Sequence, residues 1–161
     1  MRTKTINLYQ FHELSDEAKA QALKWLNEAY EYTWFGEDLD SIKAFCDLFN
    51  VKVEDYEIGF WSRASYIKTN ATNDNFRGFT LKQALALVDT DLTGYCLDYD
   101  LTQAFYNSFK VSGDAKGAFD DALHEAIKSI EKNIEWSYSD EALIEWSECN
   151  EFEFLASGKK A

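Results

Sequence analysis

The sequence has no proline, only three cysteines and only two histidines among its 161 residues. Because proline is absent, turns have to be made by glycine, asparagine, aspartate or serine, and no native cis-proline can slow folding. The cysteines are odd in number, lie far apart and include no CxxC pair, so we expect neither a disulfide framework nor a zinc knuckle. Such free thiols are typical of a reducing compartment. We interpret Cys46 and Cys149 as thiols of the core, whereas no sequence signal assigns a role to Cys96.

Motifs of common catalytic and metal sites are missing too. The chain has no GxSxG, no Walker-type glycine-rich loop, no GxGxxG and no HExxH. Two pairs of acids, Asp89 with Asp91 and Asp98 with Asp100, lack the glycine and the glutamate that an EF-hand loop places after them. We therefore expect no metal, no cofactor and no catalytic residue.

Basic residues are scarce relative to acidic ones. The chain has 16 Lys and Arg against 29 Asp and Glu, for a formal net charge of −13 at pH 7. Nucleic acids and anionic membrane surfaces attract basic proteins, so we expect neither as a direct partner and favour a partner with a basic surface. The longest apolar run, residues 84–88, is far shorter than the roughly 20 residues of a membrane span, and the N-terminus shows no secretory signal. We expect a protein of the cytosol.

What the sequence does contain is apolar and aromatic side chains, which make up 46% and 16% of the residues. This is enough to build a core in a single domain over residues 1–161. Ser15 and Ser139 each precede an Asp-Glu-Ala tripeptide, which is typical of a helix N-cap followed by negative charge in the first turn. Amphipathic periodicity then predicts helices that follow Ser15 and Ser139 and helices near residues 37–50, 79–88 and 115–137.

Short strands are predicted between these helices. Alternating or β-branched and aromatic residues indicate strands at 5–11, within 51–61 and at 151–154, and residues 59–71 read as a strand, a turn and a second strand. Residues 93–100 are compatible with a strand, and residues 101–109 with a helix or a strand. Residues 70–78 read as a polar loop, and residues 158–161 as a frayed tail. Because strands and helices do not alternate regularly, we predict an α+β fold with a small antiparallel sheet packed with several amphipathic helices.

The negative charge is concentrated in the last third of the chain. Residues 111–161 contain 12 acidic and 5 basic residues, and no basic residue occurs between Lys132 and Lys159. The periodicity that turns Trp146, Phe152 and Phe154 inward places five acids on outward faces. We predict that these five carry the electrostatic part of a partner-binding surface: Glu141, Glu145, Glu148, Glu151 and Glu153.

Two aromatic pairs are candidates for anchors of the same kind of interaction. Trp34-Phe35 and Phe60-Trp61 stand at the ends of predicted elements, where one member of each pair has to point away from the core. Exposed aromatic residues are enriched at protein interfaces. We therefore predict Trp34, Phe35 and Trp61 as partner-binding anchors.

Strict imitation of nucleic acid is a weaker interpretation of the acidic face. Acids on one helix face lie about 4.5 to 6 Å apart along the axis, whereas duplex DNA carries one charge per ~1.7 Å. One helix face is therefore too dilute, and the long helix would have to add Asp120, Asp121, Glu131 and Glu135. A nucleic-acid mimic stays an alternative.

Several segments resemble a family of small phage and prophage proteins. Residues 11–19 (FHELSDEAK), followed by a helix rich in Ala, Leu and Trp, are similar to the beginning of that family. Residues 58–62 (IGFWS) resemble its central strand, and residues 139–142 (SDEA), 150–154 (NEFEF) and 157–159 (SGK) resemble its end. Most members are uncharacterised, and some are labelled as antitoxins of toxin–antitoxin systems. None of the shared motifs is catalytic.

The charge and this resemblance together favour a non-enzymatic phage or mobile-element protein that binds and inhibits a host protein in the host cytosol. A defence effector or nuclease has the basic surface that such an inhibitor needs, so the expected role is anti-defence, anti-CRISPR or antitoxin-like. Two further alternatives stay open besides the mimic. One is a small enzyme that uses His12 or His124, and the other is an oligomeric phage accessory protein, with a homodimer as one form.

Overall fold

A computed structural model describes residues 5–59 and 64–161, and within them the protein is rich in helix. The two short strands, β1 (Val53–Glu57) and β2 (Tyr66–Thr69), pair antiparallel. The predicted α+β class is therefore confirmed. The α-helices of the described residues are α1 (Asp16–Ala29), α2 (Phe35–Asp47), α3 (Leu81–Val88), α4 (Leu97–Ser112), α5 (Ala115–Ser137) and α6 (Asp140–Cys149).

Local capping chemistry explains where several helices begin. The hydroxyls of Ser15 and Ser139 each accept a 3.3 Å hydrogen bond from the backbone N–H three residues later, at the start of α1 and α6. Thr80 and Gln83 form a reciprocal capping box at the start of α3, which satisfies two N–H groups that the helix leaves without a partner. The predictions of α1, α3, α5 and α6 are confirmed, because caps and periodicity are local signals.

Two of the predicted strands are wrong. Residues 5–11 and 151–154 pair at one isolated antiparallel bridge, between Tyr9 and Phe154, and Phe154 forms a second isolated bridge with Lys160. Burial still alternates along residues 151–154 although they form no strand. Phe154 is buried and Phe152 half-buried, whereas Glu151 and Glu153 are exposed. The alternation therefore reflects packing on a helix rather than membership of a sheet.

The other strand and loop predictions have a mixed outcome. The strand predicted within 51–61 corresponds to β1. Of the two strands predicted within 59–71, the described residues show only β2, which pairs with β1, and residues 60–63 lie outside the described residues. Residues 93–100, which were compatible with a strand, form a turn and the first part of α4, and residues 101–109 continue that helix. The predicted polar loop 70–78 contains a 3-10 helix, Asn73–Phe76, which is held in place because Phe76 is buried and Asn75 Nδ2 donates a 3.0 Å hydrogen bond to Phe49 O.

The chain divides into two compact units, and the prediction of a single domain stays a prediction. Unit 1 comprises Met1–Tyr32 and Glu135–Ala161, and unit 2 comprises Thr33–Ile134. The core of unit 1 joins the two ends of the chain through residues of α1, of α6 and of the segments beside them. Its buried members are Phe11, Leu14, Ala18, Ala22, Leu26, Leu143 and Phe154.

Aromatic rings extend this core of unit 1 toward the surface. Trp25 lies edge-on to Phe152 with ring centroids 5.7 Å apart, and Trp146 lies edge-on to Phe152 at 5.0 Å and to Tyr30 at 5.1 Å. Trp25 and Trp146 thus pack on the core, as their place on the apolar stripes predicts. Edge-to-face pairs of this kind add about 0.5–1.5 kcal/mol each beyond the area they bury.

The C-terminal segment is ordered, so the predicted frayed tail is wrong. The N–H of Leu155 donates to the carbonyl of Lys159 over 2.8 Å, and the N–H of Ala161 donates to the carbonyl of Glu153 over 3.0 Å. Gly158 is buried against α1. The prediction that Cys149 points inward is also wrong, since it is exposed at the last position of α6, where the buried face of that helix has ended.

The core of unit 2 is a cluster of phenylalanine rings. Phe45 of α2 stacks on Phe119 of α5 at 5.5 Å, and Phe49 contacts Phe105 of α4 at 5.0 Å. Phe76 and Phe79 join the same cluster from the segment between β2 and α3. The cluster therefore fastens helices and a connecting segment that are far apart in the sequence.

Candidate partner-binding site

The predicted acidic face lies on α6 and the segment that follows it in unit 1. Glu141, Glu145 and Glu148 are exposed on one side of α6, while Ala142, Leu143 and Ser147 are buried on the other. The 3.6-residue period explains this arrangement, because positions 141, 145 and 148 fall within a narrow arc of the helix surface. Glu151 and Glu153 are exposed beyond the helix end. All five predicted glutamates are therefore accessible to a partner.

None of the five glutamates forms an ion pair within the part of the chain that the structure describes. The ion pairs found there join Lys68 to Glu54, Arg77 to Asp74, Lys116 to Asp120 and Lys128 to Glu125, and none includes the five glutamates. Residues 135–161 carry seven acids and two lysines. Lys160 directs its Nζ over the ring of Phe152, 5.4 Å from the centroid. The face consequently presents a concentrated negative potential to solvent.

Of the predicted aromatic anchors, Trp34 is the most accessible one that the structure describes. Its side chain is 51% exposed and stacks on Tyr95, with centroids 6.2 Å apart and planes 16° from parallel. Phe35 is half-buried and lies 5.8 Å from the ring of Tyr56. Trp61 lies outside the described residues. Trp34 and Phe35 belong to unit 2, so they form a surface that is described separately from the glutamates of unit 1.

Tyr95 was not expected from the sequence, and the loop that carries it is held by the buried Asp98. Oδ2 of Asp98 accepts hydrogen bonds from the N–H groups of Leu92, Thr93 and Gly94 at 2.9, 2.7 and 2.9 Å. Burial alone raises the pKa of this carboxyl, but the hydrogen bonds outweigh that effect and hold its pKa below the ordinary 3.8. Asp98 thus fixes the loop whose tyrosine supports Trp34.

Oδ1 of Asp98 also accepts a 3.0 Å hydrogen bond from the hydroxyl of Thr93. Replacing Asp98 by asparagine should lower the free energy of unfolding by about 2 kcal/mol at neutral pH, because an amide has one accepting oxygen and cannot accept at both Oδ1 and Oδ2. The unfolded chain binds the proton at higher pH than the folded protein does, so the stabilisation is complete above pH ~4 and is lost as the pH falls through the folded pKa. Urea unfolding of both proteins at pH 7 and at about pH 3 should show the difference shrinking with acid. The exposed Asp91→Asn is the matched control, with an expected change under about 0.5 kcal/mol. A difference that does not depend on pH would contradict the role of the carboxylate.

The two histidines of the enzyme alternative lie in different units. His12 is exposed in the 3-10 helix Phe11–Glu13 of unit 1, and His124 is exposed on α5 in unit 2. Cys46 is buried, as expected, and burial together with the charge of Asp47 raises the pKa of its thiol to about 12. Such a thiol is not a nucleophile near neutral pH.

The described residues contain no group of three or more His, Cys, Asp and Glu side chains placed to hold a metal ion. None of their helices combines the length and the apolar character that crossing a bilayer requires.

Comparisons with known proteins do not place the chain in a family. No family model matches the sequence, and no significant match occurs among curated proteins or solved structures. The resemblance to small phage proteins therefore stays an expectation from the sequence segments that carry it.

Proposed function

We propose that this protein is a non-enzymatic inhibitor that binds a basic surface of another protein through the acidic face formed by Glu141, Glu145, Glu148, Glu151 and Glu153. The observation that carries this proposal is the exposure of all five carboxylates, none of which forms an ion pair among the described residues. An uncompensated face of one sign attracts the opposite sign over roughly 8–10 Å at physiological salt. It also speeds the encounter with a complementary surface.

The partner class follows from the sign of the face and from the sequence resemblance. Nucleases and other effectors of host defence carry basic surfaces because they bind phosphate backbones. A folded acidic protein can occupy such a surface and block its access to nucleic acid. The proposed setting is a phage or mobile element whose product meets its target in the host cytosol.

Aromatic contacts supply binding affinity, which exposed charges alone do not. Exposed charge pairs mainly set the association rate and contribute little affinity, whereas buried aromatic anchors carry much of the binding energy of an interface. Trp34 has more than half of its side-chain surface available and a stacked neighbour that holds its orientation. We assign Trp34, with Phe35 beside it, as a hydrophobic contact surface of unit 2, separate from the acidic face of unit 1.

The test is capture of the partner from host lysate at about 50 mM and about 300 mM salt, followed by kinetics with the purified partner. The triple variant Glu141→Lys, Glu145→Lys, Glu148→Lys should associate roughly 10- to 100-fold more slowly than the wild type, because reversal of the face removes electrostatic steering. The salt dependence of the rate should weaken with it.

A control with the same change of net charge separates the face from charge in general. Asp47→Lys, Asp89→Lys, Asp91→Lys alters three exposed acids of unit 2 and should slow association by less than about fivefold. Equal slowing by both triple variants, or the absence of any captured partner at either salt concentration, would count against the proposal.

A further inference from the structure

An open groove with a volume of about 490 Å³ runs between α4 and α5 in unit 2. Its lining combines the exposed ring of Tyr99 and the small side chain of Ala104 with the carboxylates of Asp100, Asp121 and Glu125. No lysine or arginine occurs among the described residues that line it. The groove thus offers apolar surface and negative charge within one concave space.

The hydrogen bonds of the groove leave most of this charge uncompensated. Glu125 pairs with Lys128, with 2.8 Å between Oε1 and Nζ. Asp121 Oδ2 accepts a 2.5 Å hydrogen bond from Ser108, which orients the carboxylate but brings no positive charge. The ion pairs of the described residues include neither Asp121 nor Asp100. Two carboxylates on facing helices therefore remain available to a cation.

We propose that this groove binds an arginine side chain from a basic peptide segment of a partner protein. The aliphatic part of arginine packs on apolar surface while its head group reaches polar atoms. The guanidinium is planar, donates two parallel hydrogen bonds to a carboxylate and stacks on aromatic rings such as that of Tyr99. A lysine ammonium lacks the planar fork and is more strongly hydrated, so it fits this combination less well.

The proposal goes beyond the acidic inhibitor described above, because it concerns a different surface. The five glutamates of the acidic face belong to unit 1, whereas every lining residue used here belongs to unit 2. The reversal of Glu141, Glu145 and Glu148 tests the first surface only. The two proposals can therefore fail separately.

The experiment is an NMR titration of the full chain with an acetylated and amidated Gly-Arg-Gly-Arg-Gly peptide. We expect saturable shifts of the backbone amides of Tyr99, Asp100 and Asp121, with a dissociation constant in the millimolar range or tighter. A peptide with citrulline in place of arginine keeps the shape but loses the charge and should show no saturation. The dissociation constant of the corresponding lysine peptide should be at least about threefold higher than that of the arginine peptide.

Matched variants decide whether the groove itself is responsible. The double variant Asp100→Asn, Asp121→Asn should weaken binding of the arginine peptide by about tenfold or more, since both amides keep the size of the side chains but remove the charge. The variant Glu28→Gln, Glu31→Gln has the same change of net charge at two exposed acids of unit 1 that belong to neither proposed surface, and should alter the dissociation constant by less than about twofold.

A second groove variant keeps the test decisive if the double variant is misfolded. Tyr99 is 59% exposed, so Tyr99→Leu should fold normally and weaken binding severalfold through loss of the stacking surface. The proposal would be overturned if the groove and control double variants weakened peptide binding equally, or if Tyr99→Leu left the dissociation constant unchanged. It would also be overturned if the wild type showed no saturation up to about 10 mM peptide.

Discussion

Replacing Phe45 by alanine should lower the free energy of unfolding by about 4 kcal/mol, the largest effect that we expect from a single substitution in unit 2. The ring is fully buried and packs between Phe49, Phe105 and Phe119, with centroids 5.5, 5.9 and 5.5 Å away. Removing it takes away the buried apolar area and leaves a cavity, because the surrounding rings are held by the turn after α2, by α4 and by α5 and cannot close in on the space. Urea unfolding followed by far-ultraviolet circular dichroism measures the change.

Leu48→Ala is the matched control for Phe45→Ala. It also shortens an apolar side chain at the end of α2, but Leu48 is 39% exposed, so water fills the vacated space and the cost should stay below about 1 kcal/mol. A loss of less than about 1.5 kcal/mol for Phe45→Ala would mean that the phenylalanine cluster does not hold unit 2 together.

Replacing Gly158 by alanine should destabilise unit 1 by about 3 kcal/mol. Gly158 has a φ of +80°, and a β-carbon there would overlap the backbone carbonyl of Ala18 in the first turn of α1. A side chain in this region of φ costs roughly 1–2 kcal/mol, and relief of the overlap requires the C-terminal turn to move away from α1 at a further cost of about 1–3 kcal/mol. Urea unfolding gives the magnitude.

The displacement of the turn has its own readout. The N–H groups of Leu155 and Ala161 are held by the carbonyls of Lys159 and Glu153, so their hydrogen exchange should become faster in Gly158→Ala. Gly113→Ala is the control, because Gly113 has a φ of +68° but nothing within 4 Å of the new β-carbon. It should cost only about 1 kcal/mol. Similar losses for both variants would show that close contact with α1 is not what requires glycine at position 158.

The helices of this protein could be predicted because their signals lie within a few residues of each other. Ser15 and Ser139 cap helices whose first turns follow directly, and the apolar stripe of α5 repeats over its whole length. The exposure of Glu141, Glu145 and Glu148 follows from the same periodicity. Their role in binding a partner stays a prediction.

Other features could not be predicted because they depend on pairs of residues far apart in the chain. Tyr9 bridges Phe154 across nearly the full length of the sequence, and the pairing of these two segments does not extend beyond isolated bridges. Trp34 stacks on Tyr95, and no pattern near either residue indicates that they meet. Each of these contacts closes a long loop of the chain, and the packing of the helices within that loop decides whether the two residues meet.

The groove between α4 and α5 shows the same limit at a candidate site. Asp100 and Asp121 are unremarkable in the sequence, and residues 93–100 were compatible with a strand. Tyr99 and Asp100 lie opposite the polar face of α5 because this segment folds as the helix α4.

Composition and periodicity by themselves determined the sign of the charge, the helices and the outward direction of the acidic residues, since each depends on residue type and local spacing alone. The tertiary structure decided how the two terminal segments pack, that Trp34 stacks on Tyr95, and that a groove forms between α4 and α5. These arise from contacts between distant segments, and their free energy depends on how whole helices pack.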